Sequence, residues 1–231
     1  MSHYEKAWQA ARVRIGAAAQ AAGRPTGSVK LVAVSKTFPA DAVRSVHASG
    51  QRAFGENYVQ EAVQKMQALP ALEWHLIGPL QSNKTRPAAE RFAWVHTLQS
   101  EKIARRLSEQ RPAALAPLNV LIQVNVSAES TKSGVAPADV LALARDVHQL
   151  PGLTLRGIMG IPEPTNDIAR QRERFRALRG CFDACREAGM PFDTLSMGMS
   201  DNLEAAIAEG ATEVRVGSAI FGPRLKGDRS T

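Results

Sequence analysis

Residues 194–222 read TLSMGMSDNLEAAIAEGATEVRVGSAIFG, and this stretch decides the fold. A short apolar run, 194–197, breaks at Gly198. A helical segment, 202–209, follows and stops at Gly210, and a second apolar run, 214–217, leads into a glycine-bearing turn and a short helix. Apolar runs too short for helices, each followed by a helical pattern, predict β-then-α units. Outward from this stretch the same alternation recurs, with further strand signals at 31–35, 52–55, 74–77, 94–98, 120–125 and 155–159. Helical patterns occupy 40–48, 58–69, 82–91, 101–110, 138–149 and 167–188 between them. Eight strands alternating with helices, without a Pro/Ser/Gly-rich linker, predict an α/β chain closed as a (β/α)8 TIM barrel. A doubly wound open sheet is the other arrangement of the same elements. Residues 1–231 then form a single domain, with 1–24 as an extra N-terminal helix covering the base and 226–231 as a frayed tail. The N-terminal helix carries Tyr4, Trp8, Ala11, Ile15 and Ala18 on one stripe and ends at Gly23 and Pro25.

Composition narrows the function classes. The 231 residues carry a net charge of +7 and are 44% hydrophobic, an ordinary composition for a soluble protein. Aromatics are only 5%, and the lysines and arginines are dispersed along the chain, which argues against a nucleic-acid surface. The mild basic balance suits a small phosphorylated ligand. Cys181 and Cys185 are the only cysteines, so neither a disulfide framework nor a cysteine-rich metal site is available, and a reducing cytoplasm is expected. The first residues carry scattered charges and no uninterrupted apolar core, unlike a secretory signal or a membrane span.

Barrel active sites form where strands end, so the strand ends carry the candidate chemistry. Lys36 follows the run Leu31-Val32-Ala33-Val34-Ser35 and shares a face with Val32 and Val34, which directs it toward the barrel mouth. A partly desolvated lysine there is a nucleophilic amine toward aldehydes and ketones. Ser200 falls just before the helix 202–209 and is read as its N-cap, where free backbone N–H groups attract anions. Gly217 and Ser218 follow the eighth strand, where barrel phosphate sites are frequently built. Arg215 shares a face with Gly217, and its burial calls for a ligand or carboxylate partner. Singly these are a surface lysine, a plain cap and a core arginine. Together, an aldehyde-reactive lysine and a phosphate cradle on one barrel describe a pyridoxal phosphate site.

The strings LVAVSKTFP, FGENYVQEAVQKM, WHLIGPLQSNK, VLIQVNVSAESTKSGV, LRGIMGIP and LSMGMSDNLEAAIAEGATEVRVGSAIFG resemble, in order from Leu31 to Gly222, the YggS-like pyridoxal phosphate homeostasis proteins, relatives of the alanine racemase barrel domain. The resemblance implies that Lys36 forms the internal aldimine and that Ser200, Gly217 and Ser218 hold the phosphate. It also implies that Arg215 faces the pyridine nitrogen and that Asn57 lies near the cofactor. The sequence departs from the family pattern at Phe38, where several relatives carry a second lysine, and at Asn202, where an acidic residue is usual. Lys132 matches a loop lysine that offers a second cofactor contact or is simply solvated.

The implied function is to hold or deliver pyridoxal phosphate in its intracellular homeostasis, without efficient catalysis. A low-activity amino-acid racemase is the alternative, and a Schiff-base aldolase acting on a sugar phosphate is a third reading. A racemase needs an acid/base group on each face of the substrate, and Tyr58 is the one tyrosine near the site. The chain's length, with no segment to close over a substrate, favours binding. A monomer is expected, with transient contacts to apo-enzymes that need the cofactor. His75 and His96 show no metal-ligand spacing and read as strand histidines. The segment 167–179 reads as a solvated charged helix face, and Met197 and Met199 as soft packing.

Overall fold

The computed structural model describes residues 2–126 and 133–223, so Lys132 and the tail 226–231 lie outside the described residues. Eight parallel strands close into one barrel. They are β1 (Lys30–Val34), β2 (Ala53–Glu56), β3 (Glu73–Leu76), β4 (Trp94–Leu98), β5 (Leu118–Val124), β6 (Leu153–Gly160), β7 (Thr194–Ser196) and β8 (Glu213–Val216). β8 returns to β1 with Arg215 opposite Val32 and Val216 opposite Ala33, which excludes the open sheet. The outer helices are α1 (His3–Ala21), α2 (Ala40–Ala48), α3 (Val59–Ala68), α4 (Thr85–Arg91), α5 (Glu101–Gln110), α6 (Val140–His148), α7 (Ile168–Glu187), α8 (Leu203–Ala208) and α9 (Ser218–Phe221).

The strand alternation sorts the interior into two populations. Leu31, Ala33, Val120 and Ile122 turn outward into the main apolar core beneath the helices. Trp94, Leu121 and Met159, on alternate positions, form a small separate cluster within the barrel. Much of the remaining barrel interior is polar: His75, His96, Ser196, Glu213 and Arg215 are all buried there. The charged segment 167–179 is the N-terminal part of α7: it buries Phe175 and Leu178 against the barrel and leaves its other side chains exposed or half-buried.

Two expectations about helices change. The signals at 82–91 and 138–149 each open with a turn of 3-10 helix, Ser82–Lys84 and Pro137–Asp139, before the α-helix begins. Pro87 is tolerated in the first turn of α4, where its missing N–H has no helical acceptor to lose. The N-terminal helix lies along the wall against α2, α8 and α9 instead of across the base. Ile15 and Ala19 bury its apolar stripe, Tyr4 meets the Phe221 ring at 5.9 Å, and Arg14 donates to the Ser200 carbonyl at 3.1 Å.

Candidate functional site

The C-terminal ends of the strands open onto a cavity of about 440 Å³, and Lys36, Asn57, Ser200, Arg215, Gly217 and Ser218 all line it. Lys36 stands two residues beyond the end of β1, on the inward face with Val34. Asn57 immediately follows β2 and lines the same cavity. Across the mouth, Ser218 opens α9, next to the end of β8.

Ser200 is not the N-cap of α8. That position belongs to Asn202, whose Oδ1 accepts the Met199 N–H at 2.8 Å. The Asp201-Asn202 pair adds one more turn before the helix, and an asparagine side chain readily closes such a turn. Ser200 is left on the rim, where its Oγ accepts the Ala219 N–H of α9 at 3.3 Å. Its hydroxyl therefore ties the loop after β7 to the helix after β8, and Asn202 keeps that loop's shape.

Gly217 answers a demand for close approach. A Cβ there would sit 3.2 Å from the Val34 carbonyl oxygen and 3.3 Å from Val34 Cβ, wedging β8 away from β1 at the cavity wall.

Arg215, 3% exposed, donates to Ser196 Oγ at 2.7 Å and to the Gly160 carbonyl at 3.1 Å. Burial pulls its pKa down to about 10, opposed by the Glu213 charge, so the guanidinium stays cationic at neutral pH. Two of its hydrogen bonds are thus made inside the barrel while its surface also lines the cavity.

Thr97 and Gln123 also line the cavity and were missed as site residues. Thr97 Oγ1 donates to the Gly78 carbonyl at 2.8 Å, pinning the strand end that packs beside Asn57. Their signal was position alone, as polar residues at the ends of β4 and β5.

Deeper in the barrel, His75 and His96 meet Glu213 of β8, a carboxylate 1% exposed. Donor atoms of the three lie within 4.8 Å of one another, a grouping that strand spacing could not reveal. His75 Nε2 donates to Glu73 Oε1 at 2.6 Å, and His75 Nδ1 lies 2.8 Å from His96 Nε2. The hydrogen bond from His75 is the main cause holding the Glu73 carboxyl down at about 2. Burial keeps His96 well below its usual range, helped by the charges of His75, Arg215 and Lys30. The two histidines are engaged with each other and with Glu73, whereas both Glu213 carboxylate oxygens are buried without a hydrogen-bond partner, 4.0 Å from Lys30 Nζ and 3.6 Å from His96 Nδ1.

Tyr58 is 60% exposed at the start of α3 and does not line the cavity. The acid/base partner that a racemase would require of it is therefore not in place.

A closed (β/α)8 barrel with an amine after β1 and hydroxyls with a glycine after β7 and β8, all on one cavity, defines a barrel protein with its candidate binding site at the C-terminal rim of the strands. Comparison with known proteins places the chain. The family described as "Alanine racemase, N-terminal domain" matches residues 9–224, and the chain belongs to it. The curated "Pyridoxal phosphate homeostasis protein" of Pseudomonas aeruginosa is 61% identical over 213 residues, covering 91% of both chains. A solved protein from Bifidobacterium adolescentis superposes with a TM-score of 0.89 at 34% identity, covering 95% of this chain and 94% of that one. PipY of Synechococcus elongatus PCC7942, solved with PLP bound, gives a TM-score of 0.77 at 39% identity over 84% of this chain and 93% of that one.

Proposed function

We propose that this chain binds pyridoxal 5′-phosphate at the barrel mouth and serves in its homeostasis, holding or delivering the cofactor without efficient catalysis. The observation that carries this reading is the convergence of Lys36, Asn57, Ser200, Arg215, Gly217 and Ser218 on one cavity. Homologues named for this role, and a relative solved with PLP bound, support it. The residues fit the group: an amine for its aldehyde, two hydroxyls and a glycine-bearing turn for its phosphate, and a buried arginine for its ring nitrogen.

When bound, the cofactor supplies an aldehyde that an amine captures reversibly and a ring that can withdraw electrons. In this reading Lys36 would hold the cofactor through its aldehyde, while Ser200 and Ser218 would hold its phosphate beside the Gly217 backbone. Arg215 is always a donor, so a ring nitrogen facing it stays unprotonated and withdraws electrons weakly. Such a ring suits retention better than carbanion chemistry. The free thiols Cys181 and Cys185 agree with a reducing cytoplasm.

The experiment is a visible spectrum of protein loaded with pyridoxal phosphate, followed by borohydride reduction and peptide mapping. A colourless protein, or a label on any residue but Lys36, sinks the reading. Ser200→Ala is expected to weaken cofactor retention about 10-fold or more, the value of a hydrogen bond to a charged group, with the Schiff base still forming. Equilibrium dialysis measures this, and unchanged retention places the phosphate elsewhere.

A further inference from the structure

The segment that carries Lys36 is a tight turn fixed from outside the cavity. The Phe38 N–H donates to the Ser35 carbonyl at 3.1 Å, which puts Lys36 and Thr37 at the two central positions. Thr37 has φ +68°, the one non-glycine among the described residues in the left-handed region. A β-branched residue there is strained by about 1–2 kcal/mol and stays only if its surroundings hold it.

What holds it is an ion cluster from β2 and α3, made of the buried Glu56 and Lys65 and the half-buried Glu61, none of which lines the cavity. Lys65 Nζ, on a side chain 7% exposed, donates to Glu56 Oε1 at 2.7 Å, to Glu61 Oε1 at 2.6 Å and to the Ser35 carbonyl at 2.8 Å. Ser35 Oγ donates to Glu56 Oε1 at 2.6 Å, and Glu61 Oε1 accepts the Thr37 N–H at 2.7 Å. The residues on both sides of Lys36 are thus tied to one ion cluster. Glu61 alone reaches the strained position.

We propose that Glu61 is a positioning residue for Lys36: together with Lys65 and Glu56 it fixes the Thr37 turn and so aims the Lys36 amine at the cofactor aldehyde. The inference rests on the reading that Lys36 bonds pyridoxal phosphate. In that step the amine nitrogen bonds the aldehyde carbon and the carbonyl oxygen leaves as water, with no change of oxidation state. Orientation matters because a displacement near 1 Å costs such reactions about 100-fold. Glu56 Oε2 is buried without a hydrogen-bond partner, and burial lifts that carboxyl to about 7, so the cluster accommodates a proton there without losing the Glu61 contacts.

The test separates aiming from binding. Wild type, Lys36→Ala, Glu61→Ala and Glu61→Gln are mixed with pyridoxal 5′-phosphate, and linkage formation is followed by stopped-flow absorbance. Affinity for pyridoxine 5′-phosphate, which has the ring and phosphate but no aldehyde, is measured by calorimetry. Glu61→Ala should slow linkage formation about 10- to 100-fold while pyridoxine 5′-phosphate affinity changes less than about 2-fold. Glu61→Gln keeps an acceptor for the Thr37 N–H and should recover part of the rate. A wild-type rate in Glu61→Ala, or parallel loss of rate and affinity, overturns the proposal. If wild type forms no linkage but binds the aldehyde-free analogue, the Lys36 reading itself fails and takes the inference with it.

Discussion

Lys36→Ala, loaded with pyridoxal phosphate, is expected to lose the visible Schiff-base band completely and to yield no borohydride-fixed peptide. The argument is geometric. Lys36 is placed at the cavity by β1, and its neighbours Ser35 and Thr37 are anchored to Glu56, Lys65 and Glu61 rather than to the ligand. Truncating the amine therefore leaves the turn and the opposite rim standing. The variant should keep its thermal midpoint and still take up cofactor through phosphate and ring contacts, with affinity lower by about 100-fold, or ~3 kcal/mol. Absorbance titration and mass spectrometry after reduction check both halves. A band that persists would mean that another amine is the nucleophile.

The second large effect falls on Gly78. A Cβ at this position would lie 2.1 Å from the Asn57 carbonyl oxygen, 2.6 Å from its Cα and 2.7 Å from its carbonyl carbon. These are backbone atoms, so no rotamer change relieves the clash. Nor is Gly78 free to withdraw, because Thr97 holds its carbonyl from the β4 side. Gly78→Ala must then push Asn57 out of the cavity wall or part the ends of β2 and β3. The expected cost is about 3 kcal/mol, at the upper end of overpacking, or a fall of roughly 6–12 °C in Tm for a chain of this size. Thermal melts read by circular dichroism test it, and a change under about 1 °C would falsify the account. Surviving protein should also bind the cofactor less tightly, since Asn57 sits on the cavity side of the clash.

The barrel was legible because each strand is a brief apolar run stopped by a polar residue or glycine, and no strand end moved by more than two residues. The six cavity residues were legible for the same reason: strand ends in this fold share one rim. Ser200 was misread because a serine before a helix usually caps it, while the Asn202 side chain that displaces it acts over only three residues. The N-terminal helix does not cover the base as its position in the sequence suggests, because its stripe matches the apolar seam beside α8 and α9. Two clusters were out of reach altogether. Glu56, Glu61 and Lys65 converge only when α3 folds back over β2, and Glu213 meets His75 and His96 only after the ring closes. The Glu61–Lys65 pair is an i,i+4 spacing, but its junction with Glu56 depends on how α3 packs on β2, and the meeting of Glu213 with the two histidines depends on the register between the last strand and the middle ones.

The β1–β8 pairing carries a consequence for how the protein matures. Lys36 comes from the first strand and Arg215, Gly217 and Ser218 from the last, and Val32 meets Arg215 only when these two strands zip together. Contacts this distant along the chain are the slowest to form, because the loop between them must be closed first. The two halves of the ligand cradle therefore come together only when this long-range pairing closes the ring. A ligand spanning both halves recognises only the closed ring and, by mass action, holds it shut. Removing that ligand would then let the β1–β8 seam open more often.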